Sequence, residues 1–237
     1  MFLQRTLPIS RIIQVFILQL GIGIIFLIIA FLVLNRDRKR LNFILSGFFI
    51  FVFLGVLFNV IYALIEDVFL ATILSHITVF FLFGATIFPV IFNLILLKSE
   101  KVITTKIQLA IISIYFVLLI LVSLIPGAIT ITIANDYVPF WSLEFFIVLS
   151  LLFIVYTAIP SIYTSIKIYQ RFEDPLLKKK WRYYMVTIPF YFLNAVMVGL
   201  CNYYNDPDLR LIWNALALSL FVVGYLIYYG VGKQLEK

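Results

Sequence analysis

Seven long apolar runs, each near the length needed to cross a bilayer, constrain this chain more than any other feature. About 20 mainly apolar residues span the hydrocarbon core as a helix. The runs fall at about 12–34, 41–65, 68–97, 107–125, 138–166, 181–201 and 211–229, separated by charged or turn-rich breaks. The third is long enough to require tilt or protrusion. A soluble domain is roughly 45–50% apolar, whereas this chain is 64% hydrophobic and 12% charged, so lipid must act as its solvent. Continuous runs rather than short alternating strands predict an all-α polytopic membrane protein, a seven-transmembrane-helix bundle forming one domain over residues 1–237. The first run exceeds a signal-peptide core and has no small-residue cleavage site before it, so it reads as a retained span. After Pro126-Gly127, the alternation from Ala128 to Ile133 predicts a short extended or interfacial segment.

Basic residues set the orientation. With the N-terminus outside, the inner segments hold four basics between Arg36 and Arg40, three at Lys98, Lys101 and Lys106, six between Lys167 and Arg182, and two at Lys233 and Lys237, which makes 15 of 18. Only Arg5, Arg11 and Arg210 fall outside, together with the acids Glu66, Asp67, Asp136, Asp206 and Asp208. The expectation is a multi-pass plasma-membrane protein with an outer N-terminus and a cytoplasmic C-terminus. The net charge of +7 is then topology, and no nucleic-acid partner is expected. Abundant Ile, Phe, Tyr and Lys hint at an AT-rich prokaryotic genome.

Catalytic tools are missing. One histidine, His76, and one cysteine, Cys201, leave no metal motif and no intrachain disulfide. No GxSxG elbow or P-loop occurs, and the seventh run lacks a lysine for a retinal Schiff base. The expectation is a non-enzyme without cofactor or metal.

Two layers of unusual residues cross the runs. Counting from the outer ends, Gln14, Asn59, His76, Glu144, Asn194 and Asn214 fall in one band roughly 3–12 Å below the outer surface on a 1.5 Å rise. Polar groups at that depth usually face a bundle interior or watery cavity, which predicts an outward ligand pocket rimmed by Trp141, Tyr62 and Trp213, with Glu144 and His76 as partners. The plainer reading is that the amides hold helices together, at about 0.6–2 kcal/mol each. Nearer the inner ends, Pro89, Pro160 and Pro189 are candidate hinges, or static bends.

The longest charged stretch, Lys167 to Tyr184, carries Lys178, Lys179, Lys180 and Arg182, which suit anionic lipid heads or a cytoplasmic partner. Asp174-Pro175 reads as a helix start. The run Asp174-Pro175-Leu176-Leu177-Lys178-Lys179-Lys180-Trp181-Arg182 ahead of an apolar span resembles the loop between spans five and six of the seven-helix sensor regions that precede histidine kinase and related output domains in prokaryotes. The resemblance implies a sensor bundle. Only Gly230 to Lys237 follow the last run, so the expectation is a stand-alone module acting through a separate cytoplasmic signalling protein. The leading functional expectation is a sensor or receptor-like protein that binds a small ligand or lipid from outside. The alternatives are a small-molecule transporter or permease subunit and a non-catalytic accessory subunit of a membrane complex. Membrane lipids and a homo-oligomer are the other partner classes.

Overall fold

The structure, a computed structural model, describes residues 9–36 and 39–231. Seven of its helices are long and apolar enough to cross a membrane: α1 Ile13–Arg36, α2 Arg40–Ala63, α3 Val68–Lys98, α4 Thr105–Ser123, α5 Leu143–Arg171, α6 Pro175–Tyr204 and α7 Pro207–Gly230. The charges at Arg5, Asp37, Arg38, Lys233 and Lys237 lie outside the described residues.

Local chemistry starts four of these helices. Asp67, Ser142, Asp174 and Asp206 each accept a first-turn backbone N–H, at 2.7 to 3.2 Å, and so satisfy donors that a helix start leaves open. Pro175 and Pro207 follow two of these caps at a position where no N–H is needed. Hence α6 begins well ahead of residue 181: hydropathy penalises Lys178 to Lys180, but lysine is a good helix former. By contrast α5 begins at Leu143 rather than 138, because Phe140–Trp141 forms a strand, β2, paired antiparallel with β1, Ile129–Thr130, in the register Ile129 to Trp141. The alternating segment after Pro126-Gly127 is therefore half of a hairpin.

Helices α1, α2, α3, α5, α6 and α7 close into a ring, and α4 lies outside it against α3 and α5. The buried residues of α4, Gln108, Tyr115, Leu119 and Val122, form a single stripe at helical spacing, as a peripheral helix requires. Small residues let the ring tighten. A Cβ on Gly55 of α2 would sit 2.6 Å from the Leu82 side chain and 3.1 Å from its backbone nitrogen. Inside, Phe26, Phe48 and Phe49 pack edge-on or tilted, and Phe48 meets Tyr191 of α6 at 4.9 Å. Outside, Ile24, Ile28, Phe31, Ile114, Val117, Leu121, Leu151, Val155 and Val222 are exposed.

Four of the helices are irregular. The first residues of α1, Ile13–Gln19, are π-helical, α3 breaks at Ala85 and Thr86, a π-turn at Ile154–Ala158 precedes Pro160 in α5, and α7 breaks at Leu218. Pro89 explains the break in α3, since its ring crowds the carbonyl four residues back, that of Ala85. Pro189 produces no such break, and α6 runs through it.

Lys39, Arg40, Lys98, Lys101, Lys106, Lys167, Arg171 and Lys178 to Arg182 lie at one end of the bundle, the basic end. The β-hairpin, Arg11 and Arg210 lie at the other, the hairpin end.

Candidate functional site

The hairpin end holds a partly open cavity of about 50 Å³ with a mixed polar and apolar lining. Its shape starts with the π-turn of α1. Gln14 and Gln19 are five residues apart and would face different directions on a regular α-helix, whereas a π-turn, bonded from i to i+5, sets both on one wall. Asn59 of α2 donates from Nδ2 to Gln19 Oε1 across that wall. Tyr62, Ser75, Thr78 and Asn202 add polar groups from α2, α3 and α6, and Trp141 of the hairpin and Trp213 of α7 add aromatic faces. Trp213 Nε1 is buried with no hydrogen-bond partner among the described residues.

Two arginines define the electrostatics. Arg11, only 7% exposed, donates from Nη1 to the Asp136 carbonyl at 2.9 Å and from Nη2 to the Tyr137 carbonyl at 3.1 Å. Asp136 and Tyr137 sit in the left-handed region, at φ 49° and 54°, so a strained turn at the tip of the hairpin is fastened to Arg11. Burial pushes the Arg11 guanidinium below its ordinary pKa, and the nearby Asp136 carboxylate opposes the shift. Arginine begins so high that it remains a cation at neutral pH. Arg210 donates from Nη2 to Asn205 Oδ1 at 2.9 Å and more loosely to Asn202 Oδ1 at 3.5 Å. Both arginines line the cavity, and no acidic residue among the described residues does.

A second cavity, of about 60 Å³, lies deeper. It shares Gln19, Leu82, Phe83, Val198 and Trp213 with the first as common walls, and the rest of it is the apolar Ile22, Val52, Val56, Ala195 and Leu220 together with Tyr191 and Asn194.

The six expected pocket residues divide. Gln14 and Asn59 line the upper cavity and Asn194 the lower one, where its Nδ2 donates to the Phe190 carbonyl at 2.9 Å and its Oδ1 is buried without a partner. Asn214 is buried on α7 but walls neither cavity. His76 lies in a separate lateral recess between α3 and α4, with its ring edge-on to Phe145 at 6.3 Å. Glu144 is exposed in the first turn of α5, where a carboxylate suits the positive end of a helix, and no hydrogen bond or ion pair among the described residues joins it to His76. Depth alone grouped these six, and depth does not say which way a side chain points.

Toward the basic end, Asn93 of α3 is fully buried. It donates to the Ser161 carbonyl of α5 at 2.9 Å and accepts from the Tyr184 hydroxyl of α6 at 3.0 Å. Lys178 and Arg182 both lie over Tyr169, with Arg182 Nη2 donating to its hydroxyl at 3.1 Å. Lys179 is exposed. Lys180 meets the end of α7 through its backbone, since a Cβ on Gly230 would lie 2.8 Å from the Lys180 carbonyl.

Fold and cavity together define a seven-helix bundle with a doubly cationic chamber at one end. No protein-family model matches the chain, and neither the curated proteins nor the solved structures contain a significant match.

Proposed function

We propose that this chain is a multi-pass plasma-membrane protein of sensor or receptor type. The N-terminus and hairpin end face outward, and a small ligand enters the upper cavity. Movement of α6 and α7 carries the signal to the basic end, where Lys178, Lys179, Lys180 and Arg182 meet lipid heads and a separate cytoplasmic signalling protein. The observation that carries this reading is the cavity itself: five helices and the hairpin converge on it, so a bound molecule would bias how they pack. The direct backbone contact of α7 on Lys180, and the resemblance of the basic segment to histidine-kinase sensor bundles, support the same reading.

A test compares the natural protein with Val198→Trp, which fills the wall common to both cavities, in a thermal-shift screen of small metabolites. Spin labels at Lys98 and Lys179 report the basic end. The expected result is a compound that raises the Tm and changes the label distance in the natural protein and does neither in the variant. A stabiliser acting equally on both proteins would count against the cavity. Accumulation of the compound inside reconstituted vesicles would favour a transporter.

A further inference from the structure

We propose that the two cavities form one site for an amphiphilic oxyanion, a carboxylate on a short apolar chain. The head would lie against Arg11, Arg210 and Trp213 Nε1, and the tail would occupy the lower cavity. This rests on the hairpin-end cavity being a ligand site, and it names the chemistry of that ligand.

The upper chamber has charge to neutralise. Arg11 and Arg210 repel each other across it, no acid among the described residues lines it, and Asp136, which acts on Arg11 from outside its walls, is one carboxylate against two guanidinium groups, whose only hydrogen bonds among the described residues go to backbone carbonyls and side-chain amides. Withdrawing like charges from water is costly unless an opposite charge joins them. Each guanidinium has five donors in a planar fork suited to a carboxylate. Arg11 uses one bond from each of its two terminal nitrogens, and Arg210 uses Nη2 alone. The indole N–H of Trp213 is a further buried donor with nothing to donate to among the described residues. Donors in surplus, with positive charge, select an anion and reject an amine.

The lower chamber selects the rest of the molecule. Ile22, Val52, Val56, Ala195 and Leu220 would strip water from an apolar chain, and the shared walls allow one molecule to reach from head to tail. Cavities of about 50 and 60 Å³ hold only a few heavy atoms each, at about 10–15 Å³ per water-sized group. That favours a short chain over a whole phospholipid tail.

The test uses the full chain in phosphatidylcholine nanodiscs, with Trp emission and Tm read against octanoate, octanol and octylamine. Octanoate should bind at least tenfold more tightly than octanol, and octylamine should not bind. Arg210→Gln should abolish the preference of acid over alcohol while leaving octanol unchanged. Because Arg210 also ties Asn202 and Asn205, Arg11→Gln is the second variant and should give the same loss. Ala195→Phe, which touches only the lower chamber, should reduce octanoate to the affinity of acetate. Equal binding of acid and alcohol, or a preference that survives both arginine variants, would overturn the anion assignment and leave the cavity reading standing. No response to any of the three probes would overturn it as well, and the metabolite screen with Val198→Trp would then judge the cavity separately. Competition by phosphatidylglycerol built into the discs would overturn the short carboxylate in favour of a lipid phosphate. Its absence, with octanoate bound, supports the free acid.

Discussion

At the residue scale, Asn93 makes the clearest energetic claim. Its two amide atoms serve two different helices, so its loss orphans the Tyr184 hydroxyl and leaves the Ser161 carbonyl with only the Thr164 hydroxyl as a side-chain donor. An unsatisfied buried polar group costs about 1–3 kcal/mol. Asn93→Leu should therefore lower stability by about 2 kcal/mol in thermal or detergent unfolding. Adding Tyr184→Phe should recover part of it, with a coupling of about 0.6–1.7 kcal/mol as found for bonds between membrane helices. Strict additivity in the double-mutant cycle would mean that the bond is not a strut. Residue-scale features were the least legible in sequence. In sequence Arg11 and Arg210 read only as the minority of basic residues at the outer end, because a topology count treats every arginine alike. The place of Arg11 in a cavity depends on the hairpin folding back to meet it, a contact between residues 125 positions apart. Gln19 escaped for a different reason: only a π-turn brings it beside Gln14, and no periodicity in the sequence announces one.

At the scale of elements, apolar runs reveal where helices lie, and prolines reveal where some of them bend, but neither tells what becomes of the freed backbone. The break in α3 shows the difference. The Phe83 carbonyl accepts from the Thr86 hydroxyl at 2.6 Å and from the Tyr115 hydroxyl of α4 at 3.1 Å, so α4 holds the bend from outside. Pro89 accounts for the interrupted backbone bonding, and Tyr115 gives the Phe83 carbonyl a partner from α4. Pro89→Ala alone should leave the distance between labels at Val68 and Lys98 nearly unchanged, whereas Pro89→Ala with Tyr115→Phe should lengthen it as α3 straightens. An equal lengthening in the single variant would show that proline alone maintains the bend. Helix boundaries slipped wherever composition and capping disagreed. Lysines hid the first turns of α6, and strand pairing took Phe140 and Trp141 from the start of α5.

For the whole molecule, orientation is the claim on which the rest turns, and it is a statement about solvent as much as about charge. The outward faces of α1, α4 and α5 carry Phe31, Leu121 and Leu151, each more than half exposed, and water would leave that surface unstable. With lipid as solvent the same faces are favourable, and the two ends must then differ in compartment. The basic end gathers the lysines of the α3–α4 and α5–α6 connections, and the hairpin end carries Asp136, Asp206 and Asp208. Cysteine substitution tests this directly, because the natural Cys201 is buried and can be replaced by Ser. In intact cells a membrane-impermeant maleimide should label Asp208→Cys fully and Lys179→Cys only after permeabilisation, since both positions are exposed at opposite ends. Labelling of Lys179→Cys without permeabilisation would invert the bundle. The arginine cavity would then face the cytoplasm, and the ligand would have to be a cytosolic anion.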